Sequence, residues 1–124
     1  MNAKKIQEII DSYHPWDARV KSFECNYFAD EVELIYSYDT EQDISYKFEE
    51  CYRTNFDHVK DYKKFCPSRE MTLAQNPYFI QEVEVTEVEE SGINFLCCKI
   101  NMFPLDVEVL CKNIHIVKID ISND

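Results

Sequence analysis

Period-two alternation runs through most of this chain and limits its fold more than any other feature. Val32, Leu34 and Tyr36 alternate with Glu31, Glu33 and Ser37, with Ile35 as the exception. Ile44, Tyr46 and Phe48 alternate with Ser45, Lys47 and Glu49. Later, Val83 and Val85 alternate with Glu82, Glu84 and Thr86, and Leu105, Val107 and Val109 with Asp106 and Glu108. Such a pattern places one face of a sheet in a core and the other in water, as in antiparallel meanders. No strand–helix–strand rhythm accompanies it, which argues against a parallel sheet.

The first thirteen residues differ. Ile6, Ile9, Ile10 and Tyr13 fall at i, i+3, i+4 and i+7, predicting a helix over 4–13 with one apolar stripe. Pro15 ends it, because the residue before a proline is pushed out of helical geometry. From Arg19 the strands begin, with Phe23, Cys25 and Tyr27 on one parity and a turn at Phe28-Ala29-Asp30. Residues 51–59 are ambiguous: the pattern allows a fourth strand through Tyr52 and Thr54 that then turns helical at Phe56, Val59, Tyr62 and Phe65. Glu89-Glu90-Ser91-Gly92 turns the chain, Pro104 breaks it again, and Lys112-Asn113 reads as a turn before a last strand from Ile114 to Ile119. The expected fold is α+β, mainly β: seven or eight antiparallel strands with an N-terminal helix. They form a meander, sandwich or half-barrel, with residues 1–124 as a single domain.

Composition narrows the function. Apolar residues make up 45% of the 124, enough for one core. There is one glycine, so a P-loop or a dinucleotide fingerprint has no material. A net charge of −11 opposes direct nucleic-acid binding, which runs on Lys and Arg. No apolar run reaches the ~20 residues that span a bilayer, and no apolar stretch follows Lys4-Lys5 as a secretory signal requires, so a cytoplasmic setting is expected and a membrane partner is not. Cys25, Cys51, Cys66, Cys97, Cys98 and Cys111 lack C-x-x-C spacing and are read as reduced core residues, with Cys97 and Cys98 on opposite faces of a strand.

Candidate chemistry is sparse. His14, His58 and His115 stand at no metal-ligand spacing, and no cofactor or metal is expected. His115 is placed on a wet face, Trp16 as an anchor leading into the sheet, and Asp17 as a turn cap. Acids beside the cysteines raise thiol pKa values and oppose nucleophilic catalysis, as at Cys51 after Glu49 and Glu50. The feature above background is carboxylates on water-facing strand positions: Glu31, Glu33, Glu82, Glu84, Asp106 and Glu108. They suit solubility and edge protection. They also suit a surface that steers a basic protein into contact, with tyrosines 27, 36, 38, 46 and 52 as a pool of aromatic anchors. These six are the expected partner-binding residues. The competing expectation is a small-molecule or sugar-binding β-domain with tyrosines and Trp16 lining a concave pocket.

Two segments carry a family resemblance. His14-Pro15-Trp16-Asp17-Ala18-Arg19-Val20, followed by an alternating strand, resembles the chain leading into the sheet in small bacterial immunity proteins of polymorphic-toxin and contact-dependent-inhibition systems. Here Pro15-Trp16 separates the histidine from the aspartate. Phe48-Glu49-Glu50-Cys51-Tyr52 is similar to a strand ending in the same group. The resemblance covers the first half of the chain. It implies a cytosolic non-enzyme that binds and blocks a toxin domain encoded beside it, often a nuclease, and it carries no catalytic residue.

Overall fold

A computed structural model describes residues 2–59, 67–72 and 75–121. Helix α1 (Ala3–Ser12) is followed by β1 (Val20–Asn26), β2 (Glu31–Ser37), β3 (Gln42–His58), β4 (Glu82–Glu90), β5 (Ile93–Met102) and β6 (Leu105–Asp120). The six strands form one open antiparallel sheet in the order β1-β2-β3-β6-β5-β4. Two three-stranded meanders are thus joined edge to edge through their last strands. The expected seven or eight strands become six because β3 and β6 each run through a point that the sequence pattern reads as a break.

Those two points lie opposite one another. In β3, Glu49 and Glu50 both turn away from the core between buried Phe48 and half-buried Cys51. In β6, Lys112 and Asn113 do the same between buried Cys111 and Ile114. Glu49 pairs with Asn113 and Cys51 with Cys111, so the parity of the inward-facing set changes in both strands at once. Just beyond, the register shifts by one residue between Cys51 and Arg53, a bulge that adds twist. Continuous pairing across this region extends from Gln42–Asp120 to His58–Leu105. Lys112-Asn113 is therefore not a turn. Phe56 lies in β3 rather than in a helix, and Tyr62 and Phe65, like Cys66, lie outside the described residues.

The core occupies one face of the sheet. Val32, Leu34, Tyr36, Ile44, Tyr46 and Phe48 are fully buried there. The Tyr36 and Tyr46 rings meet edge to face with centroids 5.4 Å apart, a favoured arrangement for aromatic pairs. From the second meander come Cys98, Ile100, Met102, Val107 and Val109. The segment before β4 closes the structure: Ile80 donates to the Ala18 carbonyl at 2.9 Å, Val20 to Tyr78 at 2.9 Å, and Gln81 to Asn101 of β5 at 2.8 Å. Residues 78–81 therefore tie the first strand to the second meander, and the sheet is curled around its core. Tyr36 and Tyr46 belong to that packed interior. Asp43, also buried, has the Lys21 ammonium 3.0 Å from Oδ1 and 3.1 Å from Oδ2.

Helix α1 is capped by Asn2, whose side chain accepts from the Lys4 amide at 2.8 Å. Ala3, Ile6 and Ile10 are buried and Tyr13 is half-buried, whereas Ile9 stands at the edge of the stripe and is exposed. His14 leaves the helix at φ 46° and Pro15 is fully buried. Trp16 is 48% exposed, so the apolar contact leading into the sheet is made by Pro15 instead. Asp17 sits at φ 65° and donates its backbone amide to the Ile80 carbonyl at 2.7 Å.

The helix also seals the outer edge of β4. The Gln7 amide donates from Nε2 to the Val83 carbonyl at 3.0 Å and accepts at Oε1 from the Val85 amide at 2.8 Å. One side chain thereby supplies two of the bonds that a further strand would make at this edge. Replacing Gln7 with Leu keeps the bulk and strands both backbone groups, and is expected to destabilise the fold by about 1–3 kcal/mol. A lower urea midpoint with an unchanged slope would show it; an unchanged midpoint would mean that water replaces the amide without loss.

Candidate partner-binding surface

Outside the core, the second meander and the far half of β3 present a water-facing side in cross-strand rows. Glu84, Lys99, Glu108 and Asn55 form one row, and Glu82, Asn101, Asp106 and Asp57 the next. Strand pairing brings these residues together from four segments that are far apart in sequence, and they line a shallow groove of about 450 Å³. Five carboxylates meet one ammonium there. Lys99 lies 3.7 Å from Glu108, and Asn55 donates to the same carboxylate at 3.3 Å.

Four of the six expected partner-binding residues, Glu82, Glu84, Asp106 and Glu108, are thus gathered in a single place. Glu31 and Glu33 are not among them. They lie on β2, four strand spacings of about 4.8 Å from β4 in the sheet order. Glu33 accepts from the Ser45 hydroxyl at 2.9 Å, while Glu31 borders a recess with Asp30, Glu49, Glu50, Tyr52 and Lys112. Asp57 joins the groove without having been singled out in the sequence. The signal for it was obscured because residues 51–59 fit a helix as well as a strand.

Past the acidic rows, the same side becomes apolar. Phe95, Cys97 and Leu110 are buried against one another, with Val88 beside them. Tyr52 covers this small cluster: its ring stacks on Phe95 at 4.7 Å and 22°. The Lys112 ammonium stands 5.6 Å from the Phe95 ring, and Arg53 is paired with Glu90. The Glu90 hydrogen bond and charge raise the Arg53 pKa further above its ordinary value. Cys97 and Cys98 do face opposite sides, Cys97 in this outer cluster and Cys98 in the main core.

The thiols and histidines form no reactive centre in the described residues. Cys25, Cys51, Cys97, Cys98 and Cys111 are free. Burial is the main cause pushing the Cys51 thiol up to about 11 and the Cys111 thiol up to about 12, and it holds Cys98 well above the ordinary range. At Cys51 the carboxylates of Asp30 and Glu31 add to this, reaching across from the β1–β2 hairpin. All three thiols stay protonated near neutrality and are poor nucleophiles. His115 is exposed and 2.9 Å from Glu49; His58 is 2.6 Å from the Tyr78 hydroxyl; His14 lies beside Trp16. Among the described residues no three of His, Cys, Asp and Glu are placed to hold a metal ion.

A filled core with a charged, open outer side suits a protein that acts through its sheet surface, as binding modules do. Comparison with known families makes this specific: the model of the family "Immunity protein PIM7" matches residues 2–118, and the chain belongs to that family. The match takes in both meanders, beyond the first half that the short motifs covered. No curated protein matches the chain. Membership implies a toxin as partner and inhibition rather than catalysis as the role.

Proposed function

We propose that this protein binds a cationic toxin domain, of the kind that handles nucleic acid, and neutralises it by covering its active site. The observation that carries the reading is the groove of Glu82, Glu84, Asp106, Glu108 and Asp57 facing a single Lys99. A cleft that engages phosphates is built of Lys and Arg, and an acidic inhibitor competes for the same charges. Carboxylates in adjacent cross-strand rows repel one another, and a partner's cations relieve that repulsion on binding. The chain acts as one domain in the cytoplasm of the bacterial cell that makes it. The five cysteines among the described residues are free thiols, which suits that reducing compartment.

The test is binding to the toxin domain encoded by the neighbouring gene, followed by stopped-flow fluorescence from low to high ionic strength. The association rate is expected to fall steeply with added salt, while the dissociation rate changes little. A salt-independent association rate would remove steering from the mechanism. Toxin activity that persists at a stoichiometric excess of this protein would remove the neutralising role itself.

A further inference from the structure

The tip of the β1–β2 hairpin combines two features that do nothing for the fold. Tyr27 is 71% exposed and Phe28 is fully exposed. Tyr27, Phe28 and Ala29 hold φ values of 53°, 57° and 71°, left-handed geometry that is strained for a residue with a side chain. The tip is nonetheless held in place. Ala29 donates to Asn26 at 3.0 Å, Asp30 to Tyr27 at 3.1 Å, and the Cys51 amide to the Asp30 carbonyl at 2.9 Å. The last bond fastens the hairpin to β3 beside the bulge, where Tyr52, 53% exposed, is stacked on Phe95. Two exposed aromatic rings thus stand at the tip on a fastened backbone, and a third, backed by a small core, lines the recess that Asp30 and Glu31 of the hairpin border.

Around these rings carboxylates outnumber cations, although the Arg53 guanidinium, paired with Glu90, stands 5.9 Å from the Tyr52 ring. Asp30, Glu31, Glu49 and Glu50 border the recess beneath the tip, against Lys112. The occupant such a platform fits is cationic, with an apolar depression that takes a ring. The tip and the acidic groove stand at opposite ends of one side of the sheet. Asp106, Glu108, Leu110 and Lys112 follow one another along β6, a span of about 20 Å at strand spacing. The groove and the recess beside the tip are thus close enough for one partner to meet both, and the tip lies two strands beyond Lys112.

We infer that Phe28 and Tyr27, supported by Tyr52, are the anchor that seats the toxin domain, and that the groove steers while the tip holds. This deepens the proposed function and rests on it. Phe28→Ala and Tyr27→Ala, measured against the neighbouring-gene toxin domain, are each expected to speed dissociation about 30-fold or more, leaving the association rate and its salt dependence within about threefold. Melting temperature is the control. Phe28→Gly should match or exceed the native value, since glycine accepts the left-handed backbone, and should still lose the anchor. Native dissociation rates in all three variants would overturn the inference while leaving the proposed function intact. Failure of the unaltered protein to bind the toxin domain would overturn both. Self-association of the unaltered protein that Phe28→Ala abolishes, with toxin dissociation unchanged, would reassign the tip to a second copy of this chain and overturn the inference.

Discussion

Reversing Glu82, Glu84, Asp106 and Glu108 together to lysine is expected to slow association with the toxin domain on the order of 100-fold at low salt. The four lie in two adjacent cross-strand rows, so their fields add over one small area. Exposed interface charges act chiefly on the encounter, and dissociation should move by only a few-fold. The loss should shrink at high salt, where a Debye length near 3 Å at 1 M leaves little to reverse. Stability is the necessary control: Glu82, Glu84 and Asp106 are exposed, and at Glu108 the Lys99 pair and the Asn55 hydrogen bond are forfeited, with the long Cys97 contact. An exposed pair of this kind contributes about 0–1 kcal/mol. Reversal of Glu31 and Glu33 on the far wing should slow association much less. If the far-wing variant is the slower of the two, the partner approaches the first meander and the groove is a bystander.

Phe48→Ala is expected to cost about 3–5 kcal/mol, from a total that for domains of this kind is about 5–15 kcal/mol. Phe48 is fully buried in β3, opposite Val32 on one side and Ile114 on the other. Truncation there opens a cavity at the pairing that joins the meanders. Phe28→Ala makes the same chemical change at a fully exposed site and should alter stability by no more than about 0.5 kcal/mol. Urea titration of the two variants separates the roles: one phenylalanine holds the fold, the other is free for a partner. Equal losses would mean that the hairpin tip packs against the body in solution.

What the sequence made legible was whatever follows a period. The helix, the burial of Val32, Leu34, Tyr36, Ile44, Tyr46 and Phe48, the turn at Ser91-Gly92 and the water-facing carboxylates are all local consequences of side-chain alternation. A phase change is harder to read, since a bulge and a turn both interrupt the alternation. Two successive outward residues at Glu49-Glu50 and at Lys112-Asn113 therefore suggested strand ends, when each strand was passing through the same bend. The water-facing carboxylates were legible one by one, and their gathering into a groove was not. Which carboxylates share a groove depends on strand order, and β3 pairing with β6 rather than β4 is fixed by long-range packing that no local pattern encodes. Phe28 was visible only as a turn residue; its exposure and left-handed backbone emerge from the folded chain.

The joining of the two meanders through β3 and β6 also orders events in time. During synthesis β1, β2 and β3 leave the ribosome early, yet the free side of β3 has no mate until residues 105–120 have been made. Closing so long a loop is slow, because the entropy is lost before the contacts repay it. A newly made chain therefore passes through an interval in which half of its sheet is finished and the acidic groove, built from β3, β4, β5 and β6, does not yet exist. Under the proposed mechanism, neutralisation of a toxin begins only when the second meander docks, and the folding rate then sets the onset of protection as much as affinity does.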